Sequence, residues 1–268
     1  MRAGGVQPFD TGARQGWPGL TVSFPQGIGN EFSGTVDEVG EGVTGFSVGE
    51  AVLGWTYMAA LAEYVVVDAQ SLVKKPASLS WEVAGALSAS GQTACTVLKV
   101  LEVSEGDTVL IHAAAGGVGT VAVQLARLRG ATVIGTASEA NHAYLKDLGA
   151  IPVTYGEGLV DRVRAVAPDG VDAVIDGIGG QALRDSPALV EDPGRIITLA
   201  DDDIAAEIGA RSIRSQRSAA QLAELADLCE RGDLRIHIRA TFPLDQVVLA
   251  HREVERGHGR GKVVVTVP

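Results

Sequence analysis

The residues with the clearest chemical meaning form one short run, Ala113-Ala114-Ala115-Gly116-Gly117-Val118-Gly119. An apolar stretch, residues 107–113, leads into it. Residues 118–129 leave it with helical spacing, Val121, Leu125 and Leu128 falling on one face. Small residues at such a strand-to-helix turn let the backbone close on a pyrophosphate, and the first helical turn adds unpaired N–H groups and partial positive charge. The order is close to G-x-G-x-x-G. Ala114 stands at the first glycine position, Gly116 or Gly117 at the second, and Gly119 at the third, where it permits close helix–strand packing. A glycine string alone also fits an ordinary tight turn. Here strand, turn, helix and a second strand at 131–136 follow one another within about 30 residues, the spacing of a dinucleotide-binding unit.

The end of that second strand separates the two nicotinamide dinucleotides. An Asp or Glu there would bind the ribose 2′-OH of NAD and repel the 2′-phosphate of NADP. This chain has Thr136-Ala137-Ser138, neutral and small, and Ser138 can donate to a phosphate. Glu139 follows at once and is read as an early-helix residue pointing to solvent. The expected cofactor is NADPH.

These residues need a scaffold. Residues 171–175 and 195–199 are two more buried strands, and 141–148 is a second helix, stopped by Gly149. Strands alternating with helices of this length imply a parallel sheet covered on both faces. Residues 1–75 are β-rich instead, a small barrel or rolled sheet, with short runs at 31–40 and 50–53 broken by glycines. Residues 62–67, Ala-Glu-Tyr-Val-Val-Val, are the clearest strand of that part. Ser80 caps a helix start, and 93–100 is helical. After residue 218 the rhythm lapses. A helix at 218–231 is followed by segments 235–240 and 242–244, a helix at 245–256 and a last strand at 262–267. This tail is expected to return to the first domain.

Composition narrows the classes. The chain has 268 residues, enough for one large domain or two ordinary ones. Apolar residues make up 46% and charged residues 21%, a globular profile, while 4% aromatics leave the core to Val, Ile, Leu and Ala. A formal net charge of −11 argues against a nucleic-acid or anionic-membrane surface. No stretch is long and apolar enough to span a bilayer, and the N-terminus has no apolar leader. Cys95 and Cys229 belong to no CxxC or Cys/His cluster, so neither a disulfide framework nor a structural zinc is expected, and a reducing cytoplasm fits.

With those residues in view, the chain resembles the medium-chain dehydrogenase/reductase superfamily. Within it, the match is to the zinc-independent quinone oxidoreductase branch of zeta-crystallin-like and enal or enone reductases. Gly5-Val6-Gln7-Pro8-Phe9-Asp10 is similar to that branch's G-V-N-P-x-D, and Gly29-Asn30-Glu31-Phe32-Ser33-Gly34 to its G-x-E-x-x-G. Val39-Gly40 through Gly49-Glu50, Ala62-Glu63-Tyr64, Gly91-Gln92-Thr93-Ala94, the run from His112 to Ala126, and Gly261-Lys262-Val263-Val264 follow in the family's order. The resemblance implies an α/β fold: a Rossmann doubly wound parallel sheet (86–218) inserted into a GroES-like β-rich substrate domain (1–85, with 219–268 returning to it). The active site would lie in the cleft between them. Family members begin earlier, with a further β-hairpin region. The resemblance therefore implies either a start upstream of Met1 or a GroES-like domain shortened at its N-terminus, which would leave sheet edges unpaired and weaken turnover more than cofactor binding.

The zinc branch of this superfamily has Cys where this chain has Gln7 and His where it has Asn30; amides are poor zinc ligands, so no metal is expected. Carried over by position, Ala115, Gly116, Gly117, Val118 and Gly119 would hold the pyrophosphate, and Ser138 and Tyr155 the adenosine ribose and 2′-phosphate. Thr93 and Gln7 would lie near the nicotinamide and substrate, Asp176 and Leu199 beside the cofactor, and Lys262 within reach of cofactor or substrate. The plainer alternatives are a surface Tyr155, a helix-capping Thr93, an Asp176 that bonds its own turn and a solvated strand-edge Lys262. The implied reaction moves hydride from NADPH to a quinone or an α,β-unsaturated carbonyl, with Gln7, Tyr57 and Asn30 as candidate donors to the acceptor oxygen and a tyrosine or water as proton source. Trp17, Trp55 and Tyr57 would form an aromatic wall, or else core. His112 and His142 are read as structural, and His251 and His258 as solvated. Two other readings stand beside the reductase: a non-catalytic NADPH-binding protein and a tailoring reductase of a biosynthetic pathway. By resemblance, a homodimer would form through an edge of the Rossmann sheet.

Overall fold

Branched aliphatic side chains carry the interior. The largest fully buried residues are all Leu or Ile, among them Leu53, Leu98, Leu110, Ile134 and Ile175. The computed structural model describes residues 1–17, 25–257 and 259–268. In chain order its elements are β1 (Ala3–Val6), α1 (Pro8–Gln15), β2 (Glu31–Thr35), β3 (Ala51–Trp55), β4 (Leu72–Lys74), α2 (Trp81–Gly85), α3 (Ser88–Val100), β5 (Thr108–Ile111), α4 (Gly117–Leu128), β6 (Thr132–Ala137) and α5 (His142–Asp147). Then come β7 (Ile151–Thr154), α6 (Leu159–Val166), β8 (Ala173–Asp176), α7 (Gly180–Asp185), β9 (Ile196–Thr198), α8 (Asp202–Ile208), β10 (Arg211–Ser212), α9 (Ala219–Glu230), β11 (Ile238–Pro243), α10 (Val247–Glu255) and β12 (Lys262–Thr266). Two units result: Met1–Gln92 with Arg217–Pro268, and Thr93–Gln216. No helix among the described residues is long and apolar enough to cross a membrane.

The unit Thr93–Gln216 is a Rossmann sheet. Among the described residues its six strands run in the order β10-β9-β8-β5-β6-β7, all parallel. The chain reverses direction of travel across the sheet at β5, so the carboxyl end of β5 is a topological switch point, where α/β sheets take up ligands. Leu110, Ile134, Val174 and Ile196 from the strands pack with Leu159 and Leu183 from α6 and α7 on one face.

In the other unit the sheet order among the described residues is β11-β12-β1-β2-β3-β4. It has two ends, β4 and β11, and is mixed: β11 and β12 are parallel and the remaining pairs antiparallel. β12 shows how it is covered on both faces. Val263 and Val265 point to the cluster containing Val6 and Ala250, while Val264 points to Ala3 and Ala86, the period-2 alternation of a strand. β11 and β12, from the C-terminal part of the chain, thus extend the sheet formed by β1 to β4.

Several local expectations are corrected. Residues 62–67 form no strand: neither sheet pairs with them, Tyr64 is 75% exposed and Val66 98%. β-branched composition makes a strand only where a neighbour supplies the ladder and a covered face. The helix expected at 93–100 starts at Ser88, so Thr93 lies inside it and not at its N-cap. Segments 235–240 and 242–244 fuse into one strand, Ile238–Pro243. His251, read as solvated, is 4% exposed in α10, because that face of the helix packs on α1; both ring nitrogens are buried without a hydrogen-bond partner. His258 lies outside the described residues. Trp17 and Tyr57 are 45% and 67% exposed, so they are not core aromatics.

Candidate functional site

The glycine-rich turn connects β5 to α4. Gly116 is the N-cap residue of α4, and among the described residues no side chain caps that end, which leaves the first-turn N–H groups to a ligand. Gly119 is fixed by close packing. A Cβ there would stand 2.6 Å from Ala114 Cα and 2.7 Å from its carbonyl carbon, so only glycine lets α4 approach this near. The left-handed residue of the turn is Ala113, with φ of 54°, and Ala114 is fully buried. Thr120 steadies the loop, its hydroxyl donating to Ala115 O at 3.2 Å. His112 beneath it is buried and bridges Thr136 (3.3 Å) and Ser186 (3.1 Å). Burial holds its imidazole below the ordinary range, so it stays neutral, a structural strut.

Because the strands are parallel, their carboxyl ends share one edge of the sheet. That edge brings together the turn after β5, Ser138 after β6, Tyr155 after β7, Asp176 at the end of β8 and Leu199 after β9. Ser138 is half-buried and Glu139 exposed. Tyr155 is 49% exposed, on a loop pinned by Arg162, whose guanidinium donates to Thr154 O (2.9 Å), Glu157 O (2.8 Å) and Gly156 O (3.0 Å). Asp176 is fully buried. Its carboxylate accepts from Gly179 N at 2.9 Å and Thr198 Oγ1 at 2.6 Å, so it braces its own turn instead of facing a ligand. Leu199 N–H donates to Asp176 O at 2.9 Å. The open helix end, the Cβ-free approach and the neutral end of β6 fit a dinucleotide.

In the other unit, Gln7, Asn30 and Lys262 meet in one buried polar cluster. Its centre is Glu31, which sequence reasoning passed over. Glu31 is 0% and Lys262 3% exposed. Lys262 Nζ donates to Glu31 Oε1 (2.7 Å), Gln7 Oε1 (2.8 Å) and Ser90 Oγ (3.2 Å). Gln7 Nε2 donates to Glu31 Oε1, and Ala89 N in the first turn of α3 donates to Glu31 Oε2 at 2.6 Å. Room for this comes from Gly5, where a Cβ would fall on Glu31 Oε1. Lys262 is therefore neither a solvated edge lysine nor free to reach a cofactor: β12 lies between β11 and β1, and its ammonium has three partners. A lysine directly before three valines, Val263-Val264-Val265, in one strand is the available signal that it needs a buried counter-charge.

Asn30 is also withdrawn from the expected donor role. It is 5% exposed, its Nδ2 donates to Asp10 Oδ1 at 2.8 Å and its Oδ1 accepts from Met58 N at 3.3 Å. Asp10 further accepts from Gln7 N (2.7 Å) and Gly29 N (3.1 Å). Burial pushes its carboxyl up to about 6, against the pull of those donors and of Lys262. Tyr57 is tilted at 58° to Phe9, ring centres 6.1 Å apart.

Two family models each match a part of the chain: alcohol dehydrogenase GroES-like domain over residues 1–77 and zinc-binding dehydrogenase over residues 148–265. The quinone oxidoreductase of Pseudomonas aeruginosa is 31% identical over 292 residues, covering 98% of this chain and 89% of that protein. The chain belongs to the medium-chain dehydrogenase/reductase superfamily. The solved quinone oxidoreductase of Coxiella burnetii matches this family member with a TM-score of 0.90 at 34% identity, over 100% of this chain and 89% of that one. A mycobacterial protein solved in complex with NADPH matches with a TM-score of 0.86 at 32% identity, over 99% and 90%. Other relatives are far longer. The chain is 33% identical to polyketide synthase GfsB of Streptomyces halstedii over 259 residues but spans 5% of it. It is 36% identical to the human synaptic vesicle membrane protein VAT-1 homolog over 202 residues and spans 51% of it. The fold is a nucleotide-binding one of an oxidoreductase family. The zinc in the second model's description does not suit this chain: among the described residues no three His, Cys, Asp or Glu side chains are grouped to hold a metal, and an ammonium stands 2.8 Å from Gln7.

Proposed function

We propose that this chain is a zinc-independent reductase that moves a hydride from NADPH to a quinone or an α,β-unsaturated carbonyl. The observation that carries the reading is the end of β6, where Ala137-Ser138 offers a hydroxyl and no carboxylate, beside a helix end that no side chain among the described residues caps. NADPH supplies the hydride when bound. The Gly116–Gly119 backbone would hold its pyrophosphate, and Ser138 with Tyr155 would hold the adenosine ribose and its 2′-phosphate. On the substrate side, Gln7 Nε2 donates to the oxygen on which charge develops, with Tyr57 as a second donor, and water returns the proton. A homodimer through an edge strand of the Rossmann sheet belongs to the same reading, and light scattering on a sizing column tests it.

The likeness to a segment of polyketide synthase GfsB favours a second reading, a tailoring reductase acting on a biosynthetic enoyl intermediate. One experiment orders these. Purified protein is titrated with NADPH and NADH by nicotinamide fluorescence, then mixed with NADPH and a panel of quinones, enals and enoyl thioesters. Loss of nicotinamide absorbance with quinones or enals supports the reductase, and loss with enoyl thioesters alone supports the second reading. NADPH binding without turnover of any acceptor would sink both and leave a non-catalytic binding protein.

A further inference from the structure

Gln7 is the proposed donor to the substrate oxygen. A glutamine amide can present either its oxygen or its nitrogen to a substrate, and only the nitrogen stabilises a developing oxyanion. Two buried groups remove the ambiguity. An ammonium only donates and a carboxylate only accepts. Lys262 Nζ lies 2.8 Å from Gln7 Oε1, and Glu31 Oε1 accepts from Gln7 Nε2. Rotating the amide by half a turn would set its N–H groups against the ammonium and its oxygen against the carboxylate.

We infer that Glu31 and Lys262 are a positioning pair, holding the Gln7 carboxamide in one orientation so that its second Nε2–H is kept for an acceptor oxygen. The inference rests on the proposed function for what that hydrogen does, but not for the orientation itself. Each charge is fixed independently of Gln7. Glu31 Oε2 is held by Ala89 N at 2.6 Å, in the first turn of α3, and Lys262 is held by Ser90 Oγ at 3.2 Å. Both side chains are almost wholly buried, so neither reaches substrate directly. Gly5 closes the arrangement, since a Cβ there would lie 3.0 Å from Gln7 Nε2 and on the Glu31 carboxylate.

The test uses the whole chain, labelled with 15N, with the Gln7 side-chain resonances assigned by their loss in Gln7→Ala. In the unmodified chain the two Nε2 protons should be widely split and one slow to exchange with water. The double variant Glu31→Leu/Lys262→Met, which removes both charges together, should collapse that splitting. It should also lower kcat about 10-fold, with KM and the NADPH Kd within about 2-fold, as expected for a transition-state donor turned out of line. A merely structural pair would lower activity only with the folded fraction and leave the amide signals of folded molecules unchanged. Retained splitting in a folded double variant, or collapse without a fall in kcat, overturns the assignment. If the double variant does not fold, Glu31→Gln serves, with partial narrowing expected and unchanged splitting refuting. Absence of any hydride transfer in the unmodified chain would instead defeat the proposed function, and the amide signals would still decide the orientation.

Discussion

Replacing Asp10 by asparagine isolates the balance between burial and hydrogen bonding beneath Gln7. Asp10 is 1% exposed and its carboxylate faces donors: Gln7 N at 2.7 Å, Asn30 Nδ2 at 2.8 Å and Gly29 N at 3.1 Å. Even so, desolvation wins and lifts its pKa from 3.8 to about 6. The folded chain therefore holds a proton over a range in which the unfolded chain has lost it. Stability falls as pH rises from the unfolded value through the folded one, the reverse of the usual aspartate. The interval spans roughly two pH units, and at ~1.4 kcal/mol per unit the loss approaches ~3 kcal/mol. The asparagine side chain cannot ionise, so the difference in unfolding free energy between the unmodified chain and Asp10→Asn should fall by ~2–3 kcal/mol between about pH 4 and 7.5. All three tryptophans, Trp17, Trp55 and Trp81, lie in the same unit as Asp10, so urea unfolding followed by tryptophan fluorescence reports it. A difference that stays flat, or rises with pH, would refute the reasoning. It would mean that the three donors and Lys262 outweigh burial.

Other substitutions probe the remaining parts. Gly119→Ala places a methyl 2.6 Å from Ala114 Cα and should cost ~1–3 kcal/mol in thermal unfolding and weaken NADPH binding about 10-fold by fluorescence titration, because α4 must move off the turn. Lys262→Met alone leaves Glu31 buried without its counter-charge and should cost ~3–5 kcal/mol by urea unfolding, and Glu31→Leu/Lys262→Met should cost distinctly less. An equal or larger cost in the double variant would contradict the pairing. Ser138→Asp supplies the carboxylate missing from the end of β6 and should shift the ratio of NADPH to NADH dissociation constants at least about 10-fold toward NADH.

The parts of the site legible in the sequence are those made by neighbours along the chain. The turn from Ala113 to Gly119 is local: a strand, a few small residues and a helix, each with its own pattern. Tertiary pairing fixes the parts that were not legible. Glu31 and Lys262 are separated by 231 positions, and they meet because β1 lies between β12 and β2 in the sheet. Nothing in the types or spacing of residues near Glu31 announces that neighbour order. Residues 62–67 failed for the same reason in reverse. Their β-branched run has the propensity of a strand, but propensity describes fit to a covered, paired surface, and here no neighbour provides one. Motif position alone suggests Asn30 as a substrate donor, yet its partner Asp10 sits on α1, 20 residues away.

The same cluster explains in electrostatic terms why Gln7 and Asn30 stand where a zinc branch would have Cys and His. Two carboxylates, Asp10 and Glu31, are buried there. Two cations answer them: Lys262 touches Glu31, and Arg217, itself partly buried, donates to Asn30 O at 2.9 Å and is drawn toward both carboxylates. Positive and negative charge are thus balanced by side chains that the fold already holds. A divalent cation added to this space would meet two amides whose oxygens are already bonded, by Lys262 and by Met58 N, and an excess of two positive charges in a poorly solvated interior. Restoring a metal site would require more than Gln7→Cys and Asn30→His. Lys262 would also have to lose its charge, so the triple variant Gln7→Cys/Asn30→His/Lys262→Met should take up zinc in equilibrium dialysis where the first two changes alone do not. Equal zinc uptake by the double and triple variants would show that Lys262 is not what keeps the cation out.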